Sequence, residues 1–158
     1  MSAVCSRPVV MPDQAAGTWL AIDFGERTIG LAVAHPLTGS ARPLAPILNR
    51  NQAGLEQAMR SVLKQWQPVT IVLGLPLDGQ GTDTDMSRKV RRFATWLEAL
   101  AGGTPILFQD ERHSSEAASS EFARRRNQGR ARRRDAARMD SIAAAQILES
   151  WMTEQGVV

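Results

Sequence analysis

The feature that most constrains this chain is the run Leu20-Ala21-Ile22-Asp23-Phe24-Gly25-Glu26-Arg27-Thr28-Ile29-Gly30-Leu31-Ala32-Val33-Ala34. Two apolar segments flank the polar connection Glu26-Arg27-Thr28, framed by Gly25 and Gly30, which is the pattern of two short strands joined by a turn. A lone carboxylate, Asp23, stands in the first strand. Aspartate is depleted in strands and costly to bury unless it is paired or holds a metal. Two readings follow: a turn aspartate that caps a hairpin, or a catalytic or metal-binding acid. The hairpin alone favours neither.

Hydrophobic periodicity sets the remaining elements. Residues 39–48 carry Arg42, Pro43 and Pro46 among apolar neighbours and read as a short edge strand, where proline is tolerated. Leu55, Ala58, Met59, Val62, Leu63 and Trp66 recur at helical spacing and predict an amphipathic helix over 52–67, stopped by Pro68. The β-branched run Val69-Thr70-Ile71-Val72-Leu73, with a helix on each side, reads as a buried parallel strand. Residues 74–83 then form a loop at its carboxyl end, the edge of an open α/β sheet where ligands bind. A second helix is expected over 84–101, ended by Gly102-Gly103. A last strand over 105–109 runs into Asp110-Glu111-Arg112. Helices from Ser114 or Ser115 to about residue 125, and from Asp135 or Asp140 to Met152, complete a single mixed sheet covered by helices.

Composition narrows the class. At 158 residues, 43% hydrophobic and 22% charged, the chain fits one domain with a sizeable core. Its longest apolar run, over 69–77, is too short to span a bilayer. Residues 1–17 lack a basic segment followed by a continuous apolar one, so they read as an N-terminal extension in a cytoplasmic protein with no membrane partner. The single Cys5 leaves no disulfide framework and no cysteine-rich zinc site. Net charge is only +3, and the pI of about 10.0 reflects basic residues that are nearly all arginine. Their clustering is more informative. Arg124, Arg125, Arg126, Arg130, Arg132, Arg133, Arg134 and Arg138 crowd one region, and Arg88, Lys89, Arg91 and Arg92 form a second. Such density suggests a polyanionic partner, most simply nucleic acid, against the alternative of a solvated surface. With almost nothing apolar to bury, the arginine-rich segment 124–134 is expected to stay mobile.

Three acids stand apart by position: Asp23 on the first strand, Glu111 just past the last, and Asp140 opening the terminal helix. Each also reads, singly, as a turn acid, a loop acid or a helix N-terminal acid favoured by the macrodipole. Three carboxylates delivered to one sheet edge form a hard-oxygen site of the kind Mg²⁺ or Mn²⁺ prefers, whereas zinc would recruit His or Cys.

Four motifs in order then match a known family. They are Asp23-Phe24-Gly25 with Arg27, Ile29 and Gly30; Gly74-Leu75-Pro76-Leu77 with Gly81-Thr82; Asp110-Glu111-Arg112 with Ser115; and Asp140-Ser141-Ile142-Ala143-Ala144 with Ile147-Leu148-Glu149. Over about residues 18–153 the chain resembles the YqgF-type nucleases, also described as pre-16S rRNA nucleases or Holliday junction resolvases, of the RNase H-like superfamily. The resemblance implies an α/β, RNase H-like fold with a five-stranded mixed sheet, three antiparallel strands then two parallel ones, flanked by helices. The nuclease domain would span 18–153, between the extension 1–17 and a tail 154–158.

It further implies a metal-dependent endonuclease in which Asp23, Glu111 and Asp140 are the catalytic and metal-binding carboxylates of a two-ion Mg²⁺ or Mn²⁺ site. Without metal, their repulsion should raise the pKa of one or more of them. Asp110 is a candidate accessory ligand, and His113 reads as a lone exposed histidine. Arg27 and Arg112 neighbour the acids and either contact the scissile phosphate or pair with the carboxylates. Gly74 and Pro76 shape the adjoining loop, and Thr82 is a candidate substrate contact. Asp78-Gly79-Gln80 replaces the more usual Asn-Met-Asp-like stretch. Arg124, Arg125, Arg126, Arg132, Arg133 and Arg134 would add salt-sensitive phosphate binding without sequence readout.

The substrate implied is structured RNA, the 5′ end of pre-16S rRNA in ribosome biogenesis. The alternatives are a resolvase of four-way DNA, which would need a dimer, and a non-catalytic nucleic-acid-binding factor. A two-lobed actin-like nucleotide-binding protein would need a longer chain.

Overall fold

Alternation along the first strand decides how the molecule is layered. A computed structural model describes residues 17–111 and 139–157, and their elements run β1 (Trp19–Asp23), β2 (Thr28–Ala34), β3 (Ala41–Pro43), β4 (Ile47–Leu48), α1 (Gln52–Trp66), β5 (Thr70–Leu75), α2 (Asp85–Ala101), β6 (Ile106–Asp110) and α3 (Met139–Glu154). Leu20 and Ile22 of β1 join Ile29, Leu31, Ile71 and Leu73 on one face of the sheet, against Leu55 and Met59 of α1 and Val90, Phe93 and Leu97 of α2. Trp19 and Ala21, with Ala32, Ala34 and Val72, form the opposite face against Ala144, Ala145, Ile147, Leu148, Trp151 and Met152 of α3. The period of two along a strand separates the two cores.

The sheet has the order β3-β2-β1-β5-β6, with β4 also pairing β2. β1–β2, β2–β3 and β2–β4 are antiparallel, while β1–β5 and β5–β6 are parallel. The expected path of three antiparallel strands followed by two parallel ones is therefore present. The single edge strand read over 39–48 is instead two pieces, β3 opposite residues 32–34 and β4 opposite Thr28 and Ile29. Pro43 and Pro46 have no N–H to give, so the ladder breaks between them.

The strand read as ending at Leu73 continues through Gly74 and Leu75, and the last strand reaches Asp110. These extensions correct the reading of 74–83 as wholly loop. Helix ends follow local chemistry. Asn51 caps α1 by accepting the Gly54 N–H at 2.7 Å. At the start of α2, Thr84 and Ser87 each accept the other's backbone N–H in a capping box. The helix expected over 114–125, the segment 124–134 and residues 1–16 lie outside the described residues. No described helix is long and apolar enough to cross a membrane.

Met59 is fully buried under the sheet, whereas Leu37 is 86% exposed. Urea denaturation should therefore show Met59→Ala losing about 2–5 kcal/mol of stability, and Leu37→Ala changing it by less than about 0.5 kcal/mol.

Candidate active site

Asp23 ends β1, where its ladder partner is Gly30. The acid thus stands at the strand's exit. Ile22 and Phe24 pack on the α1/α2 side, so alternation assigns the half-buried Asp23 to the α3 side. Phe24 is held against Phe93 with ring centroids 4.9 Å apart. The β1–β2 turn is fixed from outside. Asn49 donates from Nδ2 to the Gly25 carbonyl at 3.1 Å and from its backbone N–H to the Arg27 carbonyl at 2.8 Å. A Cβ on residue 25 would lie 2.3 Å from the Thr28 carbonyl oxygen, so the turn closes only on glycine. Sequence reading missed Asn49; its one signal was a polar residue directly after the edge strand.

The second acid reaches the same place from the other side. The β1–β5 register matches Ile22 to Leu73, and one step further sets Asp23 beside Gly74. Gly74 in turn is matched to Gln109 of β6. Two residues on, Glu111 turns back over Gly74: a Cβ there would sit 2.3 Å from Glu111 Oε1, 3.1 Å from its Cδ and 2.5 Å from Ile147 Cδ1. Glycine at residue 74 leaves that space to the ends of the Glu111 and Ile147 side chains, and a Cβ there would have to displace them. Gly74 is a strand residue under the acid, where a loop residue had been expected. Burial, and secondarily the Asp110 charge, pushes the Glu111 carboxyl above its ordinary range. Phe108 packs in the α1/α2 core and Leu107 in the α3 core, so alternation assigns Asp110 to the face opposite Gln109.

The third acid, Asp140, belongs to the first turn of α3. The next residue, Ser141, is fully buried, and its Oγ accepts the Leu31 N–H at 3.2 Å. The Asp140 side chain lies outside the described residues, as do Arg112, His113, Ser115, Arg124, Arg125, Arg126, Arg132, Arg133 and Arg134. No group of three or more metal-ligating side chains forms among the described residues. The described pair, Asp23 and Glu111, offers oxygen donors only.

Arg27 is exposed on the β1–β2 turn. Beside it, Glu26 pairs with Lys89 of α2, and that hydrogen bond together with the Lys89 charge holds the Glu26 carboxyl below its usual range. Thr82 is exposed in a loop that Asp78 organises: Asp78 Oδ1 accepts the N–H groups of Gln80 at 2.9 Å and Thr82 at 2.8 Å. Thr84 Oγ1 ties that loop down by donating to the Pro76 carbonyl at 2.7 Å.

The basic cluster of α2 is paired with carboxylates in this structure. Arg88 pairs with Asp85 and Lys89 with Glu26. Arg91 pairs with Asp83 at 3.1 Å and lies over the Phe108 ring. Three of the four cations thus have carboxylate partners, one inside the helix and two outside it.

An acid whose folded pKa is raised binds more protons folded than unfolded, so stability declines as pH climbs from the ordinary glutamate value of 4.5 to the raised one. Glu111→Gln removes this decline. In divalent-free buffer, urea midpoints should show the stability of Glu111→Gln relative to wild type rising through that window and levelling off above it.

The chain is similar to known proteins in sequence and fold. A family profile described as RuvX, Holliday junction resolvase, matches residues 17–154. A Nitrosospira multiformis protein named "Putative pre-16S rRNA nuclease" is 37% identical over 140 residues, 89% of this chain and 90% of that protein. An Edwardsiella ictaluri protein of the same name is 41% identical over 139 residues, 87% of this chain and 96% of that one. In three dimensions the chain is similar to Thermus thermophilus RuvC, solved with a Holliday junction substrate. The TM-score is 0.56 at 14% identity, covering 89% of this chain and 97% of that one, a likeness of RNase H-like fold. The motifs around Asp23, Gly74, Glu111 and Asp140 all fall within the matched span, and the chain belongs to the RuvX family, described as Holliday junction resolvases.

Proposed function

We propose that this chain is a metal-dependent endonuclease whose catalytic and metal-binding carboxylates are Asp23, Glu111 and Asp140, and that its reaction is maturation of the 5′ end of pre-16S rRNA. The observation that carries this reading is the bare strand position at Gly74, which leaves the Glu111 carboxylate room beside the exit of β1. A half-buried acid with a raised pKa, and an oxygen-only donor set, fit a hard divalent cation. Bound there, a pair of Mg²⁺ or Mn²⁺ ions would activate a water and neutralise charge on the leaving oxygen.

The protein's own part is placement. Asp23, at the end of β1, and Glu111, just past β6, share one side of the sheet. The Asn49 clamp fixes the turn after Asp23, and Gly74 leaves room for Glu111. In the reaction, the water oxygen attacks phosphorus in line and gives up a proton to solvent, one P–O bond to a sugar oxygen breaks, and that oxygen leaves with a proton from solvent. Arg27 and Thr82, exposed around this edge, are the proposed substrate contacts, together with Arg112, Arg124, Arg125, Arg126, Arg132, Arg133 and Arg134. The nuclease unit is residues 18–153, and an rRNA-processing role assigns it to the cytoplasm.

The names of the curated relatives support RNA. The family description supports a second reading, resolution of four-way DNA. Cleavage of precursor rRNA, linear duplexes and four-way junctions with Mg²⁺ or Mn²⁺ separates the two. Asp23→Asn should lower kcat on the true substrate by more than about 100-fold, and Gly74→Ala by about 10- to 100-fold, the range for a residue that supports a ligand. Binding by both with steep salt dependence, and cleavage by neither variant nor wild type, would replace the nuclease by a binding factor.

A further inference from the structure

We propose that Ser141 is a positioning residue: by accepting the Leu31 N–H, its hydroxyl fixes the first turn of α3, and with it Asp140, against the strand pair that carries Asp23. For the role of Asp140 this rests on the nuclease reading above.

The argument begins at the break in the edge strand. In an antiparallel ladder a residue's N–H and C=O point to the same side, and a hydrogen-bonded pair exchanges both. The Leu31 carbonyl accepts the Leu44 N–H at 2.8 Å, which sets both Leu31 groups on the edge side of β2. The chain leaves the ladder at Leu44-Ala45-Pro46. The reciprocal bond, Leu31 N–H to the Leu44 carbonyl, is replaced by Leu31 N–H to Ser141 Oγ at 3.2 Å, across 110 residues of sequence. A buried N–H left without an acceptor is costly. One particular helical residue therefore has to arrive at one particular strand amide.

Chemistry elsewhere on α3 sharpens the point. Its other buried residues are Ala144, Ala145, Ile147, Leu148, Trp151 and Met152. Such a surface packs well but registers loosely, because apolar contact has no preferred direction. Ser141 is its buried polar group, and a hydrogen bond has direction. Three other described residues are both buried and polar. Ser87 belongs to the α2 cap and Gln109 donates to Glu154 at 2.9 Å, while Thr70 begins β5 at the opposite end of the sheet. Ser141 alone among them adjoins a predicted catalytic acid. The chain of connections is short: Asp23 pairs with Gly30, Leu31 follows Gly30, Ser141 bonds Leu31, and Asp140 precedes Ser141.

The test uses the full chain with Mn²⁺ as the probe, binding being followed by the electron paramagnetic resonance signal of the free ion. Ser141→Ala should raise the Mn²⁺ Kd about tenfold or more and lower kcat on whichever substrate wild type cuts, with KM unchanged. Ser141→Thr, which keeps the acceptor, should restore much of the affinity. The Leu31 amide should exchange with solvent faster in Ser141→Ala, a readout that holds even if the added methyl of the threonine variant impairs folding. A folded Ser141→Ala that merely melts lower, with wild-type Mn²⁺ affinity and kcat, would overturn the positioning role. Asp23→Asn separates the two claims. If it abolishes Mn²⁺ binding while Ser141→Ala does not weaken it, only the positioning role falls; if wild type binds no Mn²⁺, both readings fall.

Discussion

Packing of α3 on the sheet is the constraint on which the rest depends. The α3 face of this sheet carries the small residues Ala21, Ala32 and Ala34 with Val72, has Gly74 at its upper edge, and sets Trp19 edge-on against Trp151 at its other end. The opposite face carries Leu20, Ile22, Leu31, Ile71 and Leu73 and takes two helices. At Gly74 the space is shared by an apolar group, Ile147 Cδ1, and a charged one, the Glu111 carboxylate. The boundary between the packed core and the proposed site runs through that one position.

That boundary carries an electrostatic cost. A carboxyl pushed above its ordinary range is one the fold would prefer neutral, and Asp23 stands on the same edge. Rigid surroundings are what allow such a group to persist. The β1–β2 turn is clamped by Asn49, the loop after β5 is organised by Asp78, and Ser141 ties α3 to β2. Each tie is a directional hydrogen bond between segments distant in sequence or within a loop, and each borders the sheet edge that the acids share. Active sites commonly hold charge at the expense of stability in this way.

Much of this was legible beforehand. The hairpin, both long helices and the two parallel strands follow from hydrophobic period and from Pro68 and Gly102 as stops. Asp23 and Glu111 stood out because acids next to apolar runs need a reason. What misled was punctuation. Gly74 looked like the start of a loop because glycine usually weakens a strand, yet here its missing side chain is the point. Pro43 and Pro46 signalled an edge but not that the edge would split. That Lys89 of α2 pairs with Glu26 was not legible, because the two are distant in sequence.

The sequence by itself determined the alternation that sorts residues between two cores, the helical stops, and the types of residue available for chemistry, since these depend on neighbours within a few positions along the chain. Only the tertiary structure decided which acids share an edge, that the bare glycine at residue 74 leaves room for the Glu111 carboxylate, and that a serine of the last helix completes a strand that the edge abandons. Those facts depend on register and on the close meeting of surfaces, and no local pattern in the chain encodes either.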